Sequence, residues 1–436
     1  MHPSKPGFEP KNNHLRHLVS NSTLACAFVV ASLGCDVESA DNTPGIQLDG
    51  GPEGTCNRGV VVVNSDFASA NISLLSLQGE VLSSSFISSA STTTGLSAPL
   101  SGDVAMPTTR LDGSSIVLID RYPASVVTWV NLQSGTPSGQ LSVATGFIAN
   151  PRDYLQLSIE KAYVSRYESN LQAGKEPFDD GGDILIIDPT ARTISGRIAM
   201  EPAMQGAADG FYPHPDKLLA VGSSVAVLLG AQTAYYDASL SSRIARVNPS
   251  NNAIEQTIVL EGMHDCSAMA QSPSGEEIAV ACSGQFDVDL DNMIAESGIV
   301  LVSTKGNWEE KKRFPAATFG MGPVGGAVAY ASERTVVFLT TGEFGGEVPA
   351  RKEDALVVLD TDAGVFETVL RSDGMAYSLG DVRCDSACGV CFATDAQRSG
   401  GVLHRFEVSE DGFLGNRTQI VVDTVVGLPP RGLGWF

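Results

Sequence analysis

Five aspartates recur where short apolar strands begin: Asp103 (SGDVAMP), Asp153 (PRDYLQL), Asp216 (HPDKLLA), Asp265 (HDCSAMA) and Asp381 (LGDVRCD). Carboxylates gathered around one point repel one another, so such a set favours a bound divalent cation, Ca²⁺ or Mg²⁺, or raised pKa values. An Asp at a loop also caps that loop by accepting backbone N–H groups, and both readings fit the spacing. His214 and His264 fall just before Asp216 and Asp265, and a His beside a carboxylate is suited to general-base work. No nucleophile pair or metal-spaced motif accompanies them. A second recurrence pairs a polar residue with an aromatic: Asp66-Phe67, Arg121-Tyr122, Arg166-Tyr167, Gln285-Phe286 and Glu343-Phe344. Aromatics repeated at one position suit wedges between neighbouring units. Arg121-Tyr122 and Arg166-Tyr167 add two cations on adjacent loops of an acidic chain, a pair able to hold a carboxylate or sulfate.

The cysteines speak for structure. Cys266 and Cys282 lie symmetrically about the turn Ser272-Pro273-Ser274-Gly275, and Cys384 and Cys391 about Ser386-Ala387-Cys388-Gly389. Each pair is expected to face across a hairpin. Cys56 and Cys388 remain, and a disulfide between them would tie the start of the folded region to its last repeat. Cys384-x3-Cys388-x2-Cys391 also has the spacing of the radical-SAM iron–sulfur motif, but it sits in a hairpin near the end of the chain. A zinc site there would want a fourth ligand, for which only His404 is near, inside a strand. Gly320-x-Gly322-x-x-Gly325 contains Pro323 and precedes no helix, so it reads as a loop. Asp287-x-Asp289-x-Asp291 lacks the glycine of a Ca²⁺ loop and has Gly298 at the twelfth position.

Strands carry these residues. Short runs of Val, Ile, Leu and Thr alternate with Gly, Asn, Asp, Ser and Pro, and nothing beyond the first forty residues sustains a helical period. An apolar strand, a turn and a second strand recur: Asp183–Pro189 with TISGRIAM, Arg243–Pro249 with AIEQTIVL, Gly298–Val302 with KKRFPA, Ala355–Asp360 with VFETVL. Ile72–Leu77, Val126–Leu132 and Val402–Val408 complete seven copies, each with a hairpin ahead of it. Seven four-stranded units over residues 57–436 predict an all-β, seven-bladed β-propeller, its strands lettered A to D from the axis outward. The first unit lacks an inner strand, because Gly59–Phe67 already reads as strand B. The C-terminal segment around Gly432-Leu433-Gly434-Trp435 fits the empty place and would close the ring.

Residues 1–34 read as a signal peptide: Lys5, Lys11 and Arg16 precede the apolar run LACAFVVASL, which is too short to span a bilayer. Ser32-Leu33-Gly34-Cys35 resembles the lipobox of bacterial lipoproteins, which implies lipidation of Cys35, although that family usually has Leu where Ser32 stands. Residues 35–56 read as a polar linker, and the remainder as a body outside the membrane. Loss of three basic residues and one acidic one leaves 25 Lys and Arg against 49 Asp and Glu, a net charge of −24. Such a field repels nucleic acid.

The repeats resemble the seven-bladed propellers that include bacterial streptogramin lyases and YVTN-repeat surface proteins. The resemblance is of architecture and implies a ligand face at the axis, formed by the D-to-A and B-to-C loops. Streptogramin lyases use His with a divalent metal there, which would assign His214 or His264 that role. The reading carried forward is an exported, lipid-anchored binding or interaction module, for a protein or small-molecule ligand, touching the membrane through its anchor alone. The alternative is a metal-assisted lyase or hydrolase on the axial face.

Overall fold

Runs such as Gly59–Ser65 (GVVVVNS) and Ser297–Ser303 (SGIVLVS) are apolar on both faces, so a sheet built from them needs a neighbour on each side. Packing such sheets around an axis supplies both neighbours. The computed structural model, which describes residues 56–436 except 112, 344–352, 374–375 and 398–399, contains seven four-stranded sheets in the order A-B-C-D, plus one two-stranded ribbon. Blade five illustrates the unit: A is Cys266–Gln271, B Glu277–Ser283, C Ser297–Ser303 and D Glu309–Pro315. Strands B and C are buried along nearly their whole length. The outer D strands are polar, as in EEKKRFP of blade five and LGNRTQI of blade seven, which blunts their open edges.

The ring closes through the first blade. Pro430–Trp435 is its strand A and pairs antiparallel with Gly59–Ser65, with Val60 opposite Trp435 and Val62 opposite Leu433. The amide of Arg58 donates to the carbonyl of Phe436 at 2.7 Å, and the Phe436 amide to the Gly59 carbonyl at 3.1 Å. Three disulfides are present as expected. Cys266 and Cys282 are register partners, as are Cys384 and Cys391. Cys56–Cys388 joins blade one to blade seven across 332 residues of sequence.

A repeated side-chain staple holds blade to blade. The residue that opens strand C accepts an amide where the next blade's strand A begins: Ser125 from Ala149 at 3.0 Å, Ser242 from Cys266 at 3.0 Å, Ser297 from Val324 at 2.8 Å and Asp354 from Leu379 at 2.9 Å. Small polar groups at this place satisfy backbone donors that the sheet ladder leaves open.

Two details depart from the expectation. Strand A of blade two is only Val104–Ala105. Phe211–Tyr212 and Gln232–Thr233 form the extra ribbon beside blade four, which the repeat did not foreshadow. Asp287, Asp289 and Asp291 belong to a turn and the start of a short helix, Leu290–Ala295. Asp289 caps it and Asp287 accepts from the Asp289 amide and the Asn292 side chain. Pro323 leads directly into a strand, Val324–Ser332. No helix among the described residues is long and apolar enough to cross a membrane. Cys35, with the signal and linker segments before Cys56, lies outside the described residues, as does Phe344.

Candidate functional site

The A strands face the axis, and most are bulged near their start. Register shifts fall between Pro151 and Asp153, Pro215 and Leu218, Cys266 and Ala268, Val324 and Val328, and Leu379 and Val382. A bulge inserts a residue against its partner strand and re-aims the side chains around it. The five aspartates lie at or near these points, or just before the short strand of blade two, and so do not share one orientation.

An axial cavity of about 520 Å³ is lined by blades one, two, four, five, six and seven. Asp103, Asp265 and Asp381 reach it. Asp153 and Asp216 do not line it. Asp153 is fully buried and accepts from the amides of Thr108 at 2.9 Å, Tyr154 at 2.8 Å and Leu218 at 2.8 Å, which ties blades two, three and four together. Asp381 repeats that pattern at the seam, accepting from the Val382 amide at 2.8 Å and the Leu433 amide at 2.9 Å. Asp103 is ion-paired with Arg121. Asp216 lies 3.3 Å from the Lys217 ammonium.

Asp265 has a strongly perturbed carboxyl. Its Oδ1 accepts from Gln232 at 3.1 Å. Burial, reinforced by the charge of Asp216 and opposed by Arg152, pushes it up to about 6. Gln232 in turn accepts from the Tyr167 hydroxyl at 2.6 Å, so a chain of hydrogen bonds runs from the cavity wall into the boundary of blades three and four.

Arg121, singled out in the sequence as an anion-holding cation, reaches the cavity, but three further cations beside it carry no signal of that kind. Arg121, Lys217, Arg383 and Arg431 all line it, four cations against three carboxylates, in a chain whose formal net charge is −22. The Nε atoms of Arg121, Arg383 and Arg431 are buried and make no hydrogen bond to protein. Each guanidinium is nonetheless anchored, that of Arg383 in part by an ion pair of its Nε with Asp381 Oδ2 at 3.7 Å. Arg121 pairs with Asp103, Arg383 Nη1 donates to the Thr108 carbonyl at 3.0 Å, and Arg431 Nη1 donates to the Tyr377 carbonyl at 3.0 Å. One signal for Arg383 was available: in a strand, residues two apart share a face, and Arg383 follows Asp381 by two.

A divalent cation does not fit this donor set. The carboxylates of the cavity are individually engaged and interleaved with guanidinium groups. Among the described residues, the one group of three metal-ligating side chains whose atoms converge within 4.8 Å is Cys56, Asp385 and Cys388, and both of its sulfurs are in a disulfide.

Arg166 does not reach the cavity. It is 0% exposed and bound on all sides: Nε and Nη2 to the two carboxylate oxygens of Asp183 at 2.7 Å each, Nη2 to the Phe178 carbonyl at 2.7 Å, and Nη1 to the Thr145 hydroxyl at 2.5 Å. Of the aromatics that follow the B strands, Phe67, Tyr122 and Phe286 are exposed and wedge nothing. Tyr167 is buried, with Arg152 over its ring at 4.3 Å and His214 at 4.7 Å between centroids.

The two histidines are apart from the cavity lining. His214 is caged by Tyr167, Tyr212 and Tyr236. Burial holds its pKa below the usual value, and neither ring nitrogen makes a hydrogen bond of normal geometry, although the backbone of Tyr167 and Thr233 lies close. His264 Nδ1 is 2.9 Å from the Ser239 hydroxyl and 3.5 Å from a Glu296 oxygen. A nucleophile–base–acid relay uses both ring nitrogens; here both contacts fall on Nδ1.

No family model matches the chain, and no curated protein matches it in sequence. Solved structures do share its fold. The periplasmic gluconolactonase PpgL of Pseudomonas aeruginosa superposes with a TM-score of 0.53 at 12% identity, over 86% of this chain and 98% of that one. A protein from Lactobacillus plantarum gives 0.54 at 10% identity, over 87% and 99%. The Cps50 (Swd1) propeller domain of Myceliophteria thermophila gives 0.52 at 11% identity, over 82% and 98%. At these identities the likeness is one of fold: the chain is a seven-bladed β-propeller.

Proposed function

We propose that this protein is an extracytoplasmic, envelope-anchored binding module whose ligand is a small organic anion held in the axial cavity. One observation carries the reading. Four cationic side chains, Arg121, Lys217, Arg383 and Arg431, converge on a cavity of about 520 Å³, where charge-assisted hydrogen bonds to an anion are strong. The volume falls in the range of small-ligand sites. Cations concentrated at the axis of an otherwise acidic molecule also select the sign of what enters.

Three disulfides support an oxidising compartment, in keeping with the signal and lipobox pattern ending at Cys35. The lyase or hydrolase alternative would need His214 or His264 coupled to a metal or carboxylate at the cavity, and neither lines it. The reading is tested by thermal-shift and calorimetric titration of the purified protein with citrate, benzoate, D-glucuronate and D-galacturonate. At least one should bind, and the double variant Arg383→Gln/Arg431→Gln should weaken it at least tenfold, the loss of about 1.4 kcal/mol. If none of the four binds, the proposal fails.

A further inference from the structure

The mixture of charges in the cavity constrains the ligand beyond its sign. Three of the four cations are already paired with carboxylates, Arg121 with Asp103, Lys217 with Asp216 and Arg383 with Asp381, so a simple anion bound among them would face that negative charge as well. Hydroxyl groups both donate and accept, so a ligand with several hydroxyls beside one carboxylate satisfies both sets.

Apolar surface is offered at the same place. Phe67 and Phe286 line the cavity yet are 68% and 69% exposed. Phe67 is held in that position by its own turn. Its backbone is left-handed, with φ of 67°, a region that bulky side chains enter at a cost. The Ser65 hydroxyl accepts the Phe67 amide at 2.8 Å, and Asp66 accepts the amides of Ala68 at 3.0 Å and Ser69 at 2.8 Å. Arg431 lies over one face of the ring, 4.8 Å from its centroid, and its buried Nε is without a protein partner. The two residues are brought together only by ring closure, since Phe67 follows strand B of blade one and Arg431 belongs to the C-terminal strand beside it.

A pyranose ring matches this surface: its axial C–H bonds form a flat apolar face suited to the negative face of an aromatic ring, and its hydroxyls project around the edge. We propose that the axial cavity takes an acidic sugar, with the pyranose ring against the Phe67 side of the mouth, its carboxylate on Arg431, and its hydroxyls toward the flanking aspartates. This rests on the organic-anion reading above and narrows it to one chemical class.

The test is calorimetric titration of the full-length protein with D-glucuronate, D-galacturonate, tri-galacturonate, D-galactose and citrate, repeated with Phe67→Ala and Phe286→Ala. Both side chains are exposed, so the variants should fold, as circular dichroism would verify. At least one uronate should bind, at least tenfold tighter than galactose and citrate, and Phe67→Ala should weaken it about tenfold. Tri-galacturonate binding tighter than the monomer indicates a polysaccharide source, and equal affinity a free sugar acid. Citrate binding as well as or better than the uronates, or a Phe67→Ala variant that binds uronate unchanged, overturns the acidic-sugar inference while the anion reading stands. If neither the uronates nor citrate nor benzoate binds, both fall.

Discussion

Cys56 and Cys388 are 332 residues apart in sequence and 5.5 Å apart between Cα atoms, so a single covalent bond spans the seam at which the propeller begins and ends. Beside it, Asp385 accepts from the backbone and side-chain nitrogens of Asn57 at 2.7 and 2.9 Å. Covalent and polar links therefore fasten the first and last blades at one point.

Removing this bond should cost more than removing a hairpin disulfide. A cross-link stabilises largely by restricting the unfolded chain, and the effect grows with the loop enclosed. Cys56→Ser/Cys388→Ser should lose about 4–5 kcal/mol, against about 3 kcal/mol for Cys266→Ser/Cys282→Ser, which encloses a loop of 16. Urea unfolding of both double variants checks this; equal losses would contradict it.

Arg166 should prove structural. Arg166→Ala leaves Asp183 buried without its bidentate partner, and breaking such a pair costs about 3–5 kcal/mol. Ligand affinity per folded molecule should not change. Denaturation together with a titration of the folded fraction would reveal any direct role.

Asp265 predicts a dependence on pH. Its folded pKa, about 6, is above the ordinary 3.8, so the folded state holds this proton more tightly than the unfolded state does. The stability it contributes is therefore fully present below about pH 4 and lost as pH rises through 6. Asp265→Asn cannot ionise. It should be more stable than the natural protein at pH 7.5, with the difference shrinking between pH 6 and 4. A constant difference from pH 4 to 8 would place the proton elsewhere.

Divalent metal should be dispensable. With Arg121, Arg383 and Arg431 among the carboxylates, neither EDTA nor millimolar Ca²⁺ or Mg²⁺ should shift the unfolding midpoint or the affinity for the organic anion. A metal-dependent stabilisation lost in Asp103→Asn would restore the cation site.

Cys35 carries the prediction for localisation. Cys35→Ser should move the protein from the membrane fraction to the soluble extracytoplasmic fraction, as fractionation and immunoblotting would show. Unchanged membrane association would refute the lipid anchor.

The sequence alone determined the blades, the closing strand and the disulfides. These depend on local rules: an apolar run buried on both faces needs flanking sheets, equal arms about a turn set hairpin register, and the missing inner strand of blade one left one vacancy for the segment ending at Trp435. What faces the axis was decided by the tertiary structure. Strand alternation alone would aim Asp103, Asp153, Asp216, Asp265 and Asp381 alike, but bulges at the start of five A strands re-aim the side chains. Asp153 becomes a buried staple, while Arg383 and Arg431 reach the cavity. Arg166, alike in sequence to Arg121, is drawn inward because Asp183, its register partner on the neighbouring strand, takes two of its three nitrogens. A one-residue change of register is invisible in residue spacing and reverses which side chain meets a ligand.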